Sequence, residues 1–450
     1  MSILFLAGVF FLSSACGTAQ DEVISINLDL PAGWESVIDM DALGAPSSTP
    51  YIGTIRFHYG GAQVQYKDFP YVGNSASFNV GDVDDITVQA ITMGQVIMEG
   101  SVSGVGGISS DVTVFLEKAN GFSEAGTLLY PRQNHSAALA NSVVYILGGN
   151  PGTGIIEAVA SSTGSFTSSA YAASLAYPRG VTTVLHDTVG SKLFVFKGAA
   201  AVADNLYEVV DLGSDLAFPR VLTNSRFNYF PVLDNQEILL VGGDDGVATW
   251  FENTLVINAQ NFSEQIWTGL GTLLVRVNPK CLNDSVRLSC FGGGTGIVEV
   301  FNLIVGGIDY SLSILPDMEG FTTTLLGNGD IVIIGGLEGL TTYKSVKIFQ
   351  PNSGGYSDLG SGLYHPRYFH TATLINSNEV LIIGGGPTVE ASQSAELLDL
   401  TTGQSTLLPW PMTVPRVGHT ATLLPDGRVL VAGGSVTDRR MEVFNPRSGL

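Results

Sequence analysis

The chain has 450 residues, with 41 Asp and Glu against 20 Lys and Arg, a formal net charge of −21 at pH 7. That balance, with no basic run to neutralise phosphates, excludes nucleic acid as a partner and sets the chain against an anionic lipid surface. Hydrophobic residues at 45% and charged residues at 14% argue for a packed chain, and the 55 glycines, without a collagen period, point to many tight turns and so to many short strands.

The first element is an apolar run, residues 3–12 (ILFLAGVFFL), followed by Ser13, Ser14, Ala15 and Cys16. It is too short for a bilayer span, which needs about 20 apolar residues, and has the length of a signal-peptide core. The small residues ahead of Cys16 resemble a bacterial lipoprotein signal, which implies cleavage after residue 15 and a lipid on Cys16. Two features depart from that pattern: no Lys or Arg precedes the run, and Leu12 stands four residues before Cys16 rather than three. The expectation is an exported protein, held at a membrane or cell surface through the lipid alone, with simple secretion as the alternative. Export permits disulfides, and leaves Cys281 and Cys290 as one pair, nine apart in a predicted hairpin; a bridge and two buried thiols both fit.

Residues 22–118 alternate in the manner of half-buried strands. Ile24, Ile26, Leu28 and Leu30 share one face, as do Ile55, Phe57 and Tyr59, then Ile86, Val88 and Ala90. About a hundred residues of this kind predict a small β-sandwich, immunoglobulin-like in size but without a Cys-Trp-Cys signature. Residues 21–120 carry a net charge of −10, and the domain reads as a spacer or adhesive module.

From about residue 120 one pattern recurs. Pro366-Arg367-Tyr-Phe-His370 leads to a Gly384-Gly385 pair, Pro415-Arg416-Val-Gly-His419 to Gly433-Gly434, and Pro131-Arg132-Gln-Asn-His135 to Gly148-Gly149. Four further copies replace the His, giving register positions 135, 182, 229, 278, 321, 370 and 419. Each copy reads as four short strands, a to d, with b ending in the glycine pair, or in Lys197-Gly198 in the second copy, and in five copies c carries a Glu at one repeated position, Glu157, Glu208, Glu299, Glu396 and Glu442. Units near 45 to 50 residues ending strand b in Gly-Gly resemble the kelch repeat, and so the propeller of the galactose oxidase class, over residues 121–450. The fold expected is all-β, a sandwich followed by a seven-bladed kelch-type propeller spanning residues 119–450. Gly121-Phe122-Ser123-Glu124-Ala-Gly126 matches the strand d at Gly355-Tyr356-Ser357-Asp358-Leu-Gly360, so residues 121–130 are expected to complete the seventh blade.

Within that resemblance, a copper radical oxidase would need two His, two Tyr and a Cys-Tyr crosslink. His135, His370 and His419 are register residues, which leaves only His58, His186 and His365. No metal set and no cofactor is expected, since HExxH and CxxC are absent as well. The Asp-box of sialidases is also missing. Asp82-Val-Asp84-Asp85 and Asp244-Asp245 supply hard oxygens but not the spacing of a calcium loop.

Recognition residues are expected on the face where b-to-c and d-to-a loops crowd the axis. Arg132, Arg179, Arg367 and Arg416 lead into strand a, and the long b-to-c loop holds Asp244, Asp245, Trp250 and Phe251. Aromatic and Arg side chains on variable loops are the composition of a binding surface. The chain is therefore read as a binding or adhesion module for a protein or a glycan rather than an enzyme. The alternative is a sugar-acting propeller resembling the bacterial sialic-acid mutarotases, with an acid/base pair in its funnel.

Overall fold

The computed structural model of the chain describes eight strands between residues 23 and 118, together with residues 121–446 other than 163–164, 197–204, 224–227, 245–252, 268–278 and 409. The expected signal peptide and Cys16 lie outside the described residues. The chain divides into two compact units, cut near residues 123 and 443.

The first unit holds two sheets. Val23–Asp29 is the middle strand of one, antiparallel to Ser75–Asn79 and parallel to Val112–Phe115. The other has five strands, in the order Gln65–Pro70, Thr54–Tyr59, Asp85–Thr92, Gln95–Ser103 and Glu117–Lys118. Ile86 and Val88, two residues apart on one strand face, are both fully buried, as their alternation predicts.

The second part of the chain is a seven-bladed β-propeller. Seven four-stranded antiparallel sheets follow one another, each in the order a-b-c-d. Strands a are Ser136–Ala140, Thr183–Asp187, Phe230–Asp234, Lys280–Asn283, Thr322–Leu325, Thr371–Leu374 and His419–Leu423. Neighbouring strands a touch all the way round the ring, which makes strand a the innermost. The seventh blade takes its strand d from Gly121–Thr127, paired beside Arg440–Asn445. The last blade thus draws its strands from both ends of the propeller, which ties the ring shut. The seam between blades 7 and 1 uses the same bond as its neighbours: Gly434 N donates to Arg132 O at 2.7 Å, as Gly385 N does to Arg416 O at 2.8 Å and Gly336 N to Arg367 O at 2.9 Å.

The core lies between blades. Val144, Ile146 and Val159 of blade 1 pack on Leu430, Ala432, Met441 and Val443 of blade 7, and equivalent clusters fill the other interfaces for which side chains are described. Strand b is apolar on both faces because a blade is covered on both; Ile331–Ile334 is buried at every position. Each fully buried Val, Leu or Ile is worth about 1.5–3 kcal/mol relative to exposure.

The two repeat signatures explain each other. The first glycine of a pair receives the register residue of the next blade: a Cβ on Gly384 (φ +60°) would lie 2.7 Å from Arg416 O and 2.9 Å from His419 Cε1. The second glycine lies against its own blade's register residue, Gly385 against the His370 Cβ. Only glycine permits both the left-handed backbone and that approach.

Strand pairing also corrects one register. Lys280 pairs with Phe291, which precedes Gly292-Gly293, just as Thr371 pairs with Ile383 before Gly384-Gly385. The register residue of blade 4 is therefore Pro279, not Asn278. No His marks the place in this blade, so residue type alone does not fix its register. In the same hairpin Cys281 and Cys290 are direct cross-strand partners, 4.1 Å apart at Cα, and form a disulfide, so of the two readings open for the pair the structure has the bridge.

Candidate functional site

Arg132, Arg367 and Arg416 do lie in the connections leading into strand a, and Arg179 ends the strand before one, Ser165–Arg179. Their side chains turn into the blades, however, instead of toward the loop surface, and all four are fully buried. Each meets the strand-c glutamate of its own blade: Arg132 with Glu157 at 2.8 Å, Arg179 with Glu208 at 3.0 Å, Arg367 with Glu396 at 2.9 Å and Arg416 with Glu442 at 2.8 Å. Arg367 also donates to the carbonyls of Gly384 and Ala391, both at 2.7 Å, and to Ser394 Oγ at 2.7 Å. Glu396 accepts from the backbone N–H groups of Tyr364 and His365 and from Ser405 Oγ. One buried pair thus ties together strands b, c and d and the incoming loop. Burial holds the Arg132 and Arg367 guanidinium pKa values below the usual value despite the glutamates. Blade 5 loses both partners at once, with Met318 three residues before its register position and Lys347 opposite Ile333, where five blades carry Glu and blade 3 carries Leu255.

The register histidines bridge blades. His135 Nε2 lies 2.9 Å from Thr420 Oγ1, His370 Nε2 2.9 Å from Thr322 Oγ1, and His419 Nε2 2.9 Å from Thr371 Oγ1. Burial, reinforced by Arg132 and Arg416 at His135 and by Arg367 and Lys280 at His370, lowers both to about 3; burial, Arg416 and the neighbouring register histidines hold His419 well below its ordinary value. The Nδ1 atoms of all three have no hydrogen-bond partner among the described residues, so a proton there would be buried and unpaired. These imidazoles are neutral fixtures of the ring.

Of the expected loop cluster, Asp245, Trp250 and Phe251 lie outside the described residues. Asp244 is buried, and accepts a 2.8 Å hydrogen bond from Asn228 Nδ2 across the mouth of blade 3. Among the described residues no group of three or more His, Cys, Asp or Glu is placed to hold a metal, and no helix is long and apolar enough to cross a membrane.

What remains open is a cavity of about 870 Å³ at the axis. It is bounded by the starts of strands a and by d-to-a and b-to-c loops of blades 2 to 6, and it is not symmetric. Thr182 and Thr183 face it from blade 2, Asn228 and Phe230 from blade 3, Lys280 from blade 4, Phe321 from blade 5 and Phe369 from the approach to blade 6. Val181, Asn228, Asp317, Glu319 and Phe369 are among its exposed side chains, Lys280 and Phe230 are half-buried, and Phe321 is buried. Carboxylates and an amide at the mouth, with an ammonium and aromatic rings further in, can grip hydroxyls and the apolar face of a sugar ring together.

Lys280 is the residue that sequence reasoning missed. It occupies the position directly after the register residue, where five blades carry Ser136, Thr183, Thr322, Thr371 and Thr420. The signal was present as a break in that hydroxyl column, hidden by the one-residue slip at Asn278. Arg226 stands three residues before Tyr229, and with the register of blade 4 at Pro279 Arg276 does the same, in line with the other arginines.

No protein-family model matches the chain, and no curated protein matches it. Solved structures do. A structure of YjhT aligns over 62% of this chain and 98% of its own length, at 15% identity and a TM-score of 0.47.

Proposed function

We propose that this protein is an exported, lipid-anchored surface module whose propeller binds a glycan in the axial cavity, carried by an N-terminal immunoglobulin-like sandwich over residues 22–118. The observation that carries the reading is the cavity itself: it is lined by residues that differ between blades, while the repeated Arg, Glu and His are consumed in holding blades together. About 870 Å³ is the size of small-molecule sites, of roughly 300–1,000 Å³, and suits one or two sugar rings better than a protein surface. The export and anchoring part rests on residues 1–16 alone, and Cys16→Ser would release the protein from membranes if it is right.

The test is a glycan array probed with the full chain. Selective binding is expected, abolished by Asn228→Ala with Phe369→Ala and retained in Trp250→Ala with Phe251→Ala. Loss in the second variant and not the first would move the site to the long loop of blade 3, and a folded protein that retains no glycan would sink the reading. One observation favours the sugar-enzyme alternative: Lys280, a titratable group with no ion-pair or hydrogen-bond partner among the described residues, lines this cavity.

A further inference from the structure

We propose that Lys280 is a nucleophilic amine that condenses with the carbonyl of a small aldehyde or ketone admitted to the axial cavity, holding it as a reversible imine. Position carries the argument. At the equivalent place in the ring, Thr322, Thr371 and Thr420 each engage the register histidine of the next blade, and Ser136 Oγ donates to the Thr182 carbonyl at 2.7 Å. For Lys280 the next register residue is Phe321, whose ring has taken the seat over Gly292 and has no acceptor to give. The residue before it is Pro279, its cross-strand partner is Phe291, and Phe230 and Phe321 line the cavity beside it.

The carboxylates that share the cavity, Asp317 and Glu319, are exposed at its mouth and form no ion pair with the amine. Desolvation pushes the pKa of the amine below that of an ordinary lysine, and the titratable group it acts on electrostatically, His370, is held neutral by burial. A lysine desolvated beside apolar side chains is more often the free base, which is the nucleophilic form. The backbone under it is held in place, since the disulfide begins at the next residue, Cys281.

The chemistry balances without any further reagent. The Nζ lone pair attacks the carbonyl carbon to give a carbinolamine; its hydroxyl leaves with a proton as water, and the C=N bond forms. Hydrolysis returns the amine and the carbonyl compound. The inference rests on the cavity assigned above as the ligand site, and narrows the ligand to one that presents a free carbonyl.

Full-length protein treated with glycolaldehyde and cyanoborohydride at neutral pH, then digested and mapped by mass, reads the reactivity of all seven lysines at once. Lys280 should carry the reduced hydroxyethyl group about tenfold sooner than the exposed Lys344. The advantage should vanish in protein unfolded with guanidinium, and the hydroxyethyl group should not form without the reductant. Modification of Lys280 at or below the Lys344 rate in the folded protein overturns the proposal. Glycan binding without fast modification refutes this inference and leaves the cavity reading intact, whereas fast modification without glycan binding supports the reactive amine and removes the glycan.

Discussion

Blades 6, 7 and 1 are near copies of one another, whereas blades 3, 4 and 5 share the sheet but little of the chemistry. In the first group every register residue is a buried His and every approach carries a buried Arg paired with Glu. In the second group the register residues are Tyr229, Pro279 and Phe321, the ring position after them includes Phe230 and Lys280, and blade 5 has neither Arg nor Glu. The cavity is bounded by this second group together with blade 2 and the approach to blade 6. Repetition in this molecule marks what holds the ring, and departure from repetition marks what the ring leaves open to a ligand.

The largest effect expected from breaking that division is at the buried pairs. Arg367→Ala should cost about 3–5 kcal/mol in chemical denaturation, because Glu396 would remain buried without its counter-charge. Arg367→Met combined with Glu396→Leu should recover most of that loss, as blade 5 folds with Met318 in the Arg position and no partner glutamate. A double variant no better than the single one would mean that the pair contributes more than mutual neutralisation. Next comes the glycine seat. Gly384→Ala forces a left-handed alanine onto Arg416 O and His419 and should cost about 3 kcal/mol, whereas Gly427→Ala, with φ +86° and open space around it, should cost only about 1 kcal/mol.

The same contrast decides how much the sequence reveals. Seven copies in phase were legible because Pro-Arg and His mark three of them plainly and the glycine that seats the next blade's register residue carries the phase through the rest. Strand a as the inner ring and the closure through Gly121–Thr127 follow from that pattern. The arginines were legible as repeated but misplaced in depth: a charged residue in a connection reads as surface, and only the facing Glu in strand c shows that it is buried. Lys280 was illegible for the opposite reason. It sits where the pattern fails, and a reading anchored on His has no mark there until the hairpin pairing of Lys280 with Phe291 supplies one.

Acid should separate the two groups of blades. His135 and His370 have folded pKa values of about 3 against 6.5 unfolded, so the unfolded chain takes up protons first. Their stabilisation is fully present above pH 6.5 and is lost as pH falls from there toward 3. At pH 5 each should cost about 2 kcal/mol, at about 1.4 kcal/mol per pH unit. His419, lowered for the same causes, adds in the same direction. His135→Gln and His370→Gln should therefore flatten the slope of stability against pH between 6.5 and 5, while Thr182→Ser, at the register position of blade 2, should leave it unchanged. An unaltered slope in the His variants would mean that the loss of stability in acid originates elsewhere.

The smallest effect, and the sharpest for the comparison, comes from the ring position itself. Thr371→Val removes the oxygen that His419 Nε2 faces at 2.9 Å and leaves a buried imidazole nitrogen unpaired, at a cost of about 1–3 kcal/mol. Lys280→Met, at the equivalent place in blade 4, removes an ammonium that has no partner and is already disfavoured by burial. The stem keeps its length and its apolar contacts, so stability should be unchanged or raised by up to about 1 kcal/mol. A side chain whose loss costs the fold nothing, at a position where its counterparts stabilise the ring, is retained for what it does in the cavity. Comparable destabilisation in the two variants would instead make Lys280 one more brace of the ring, and would remove the asymmetry on which the ligand site is argued.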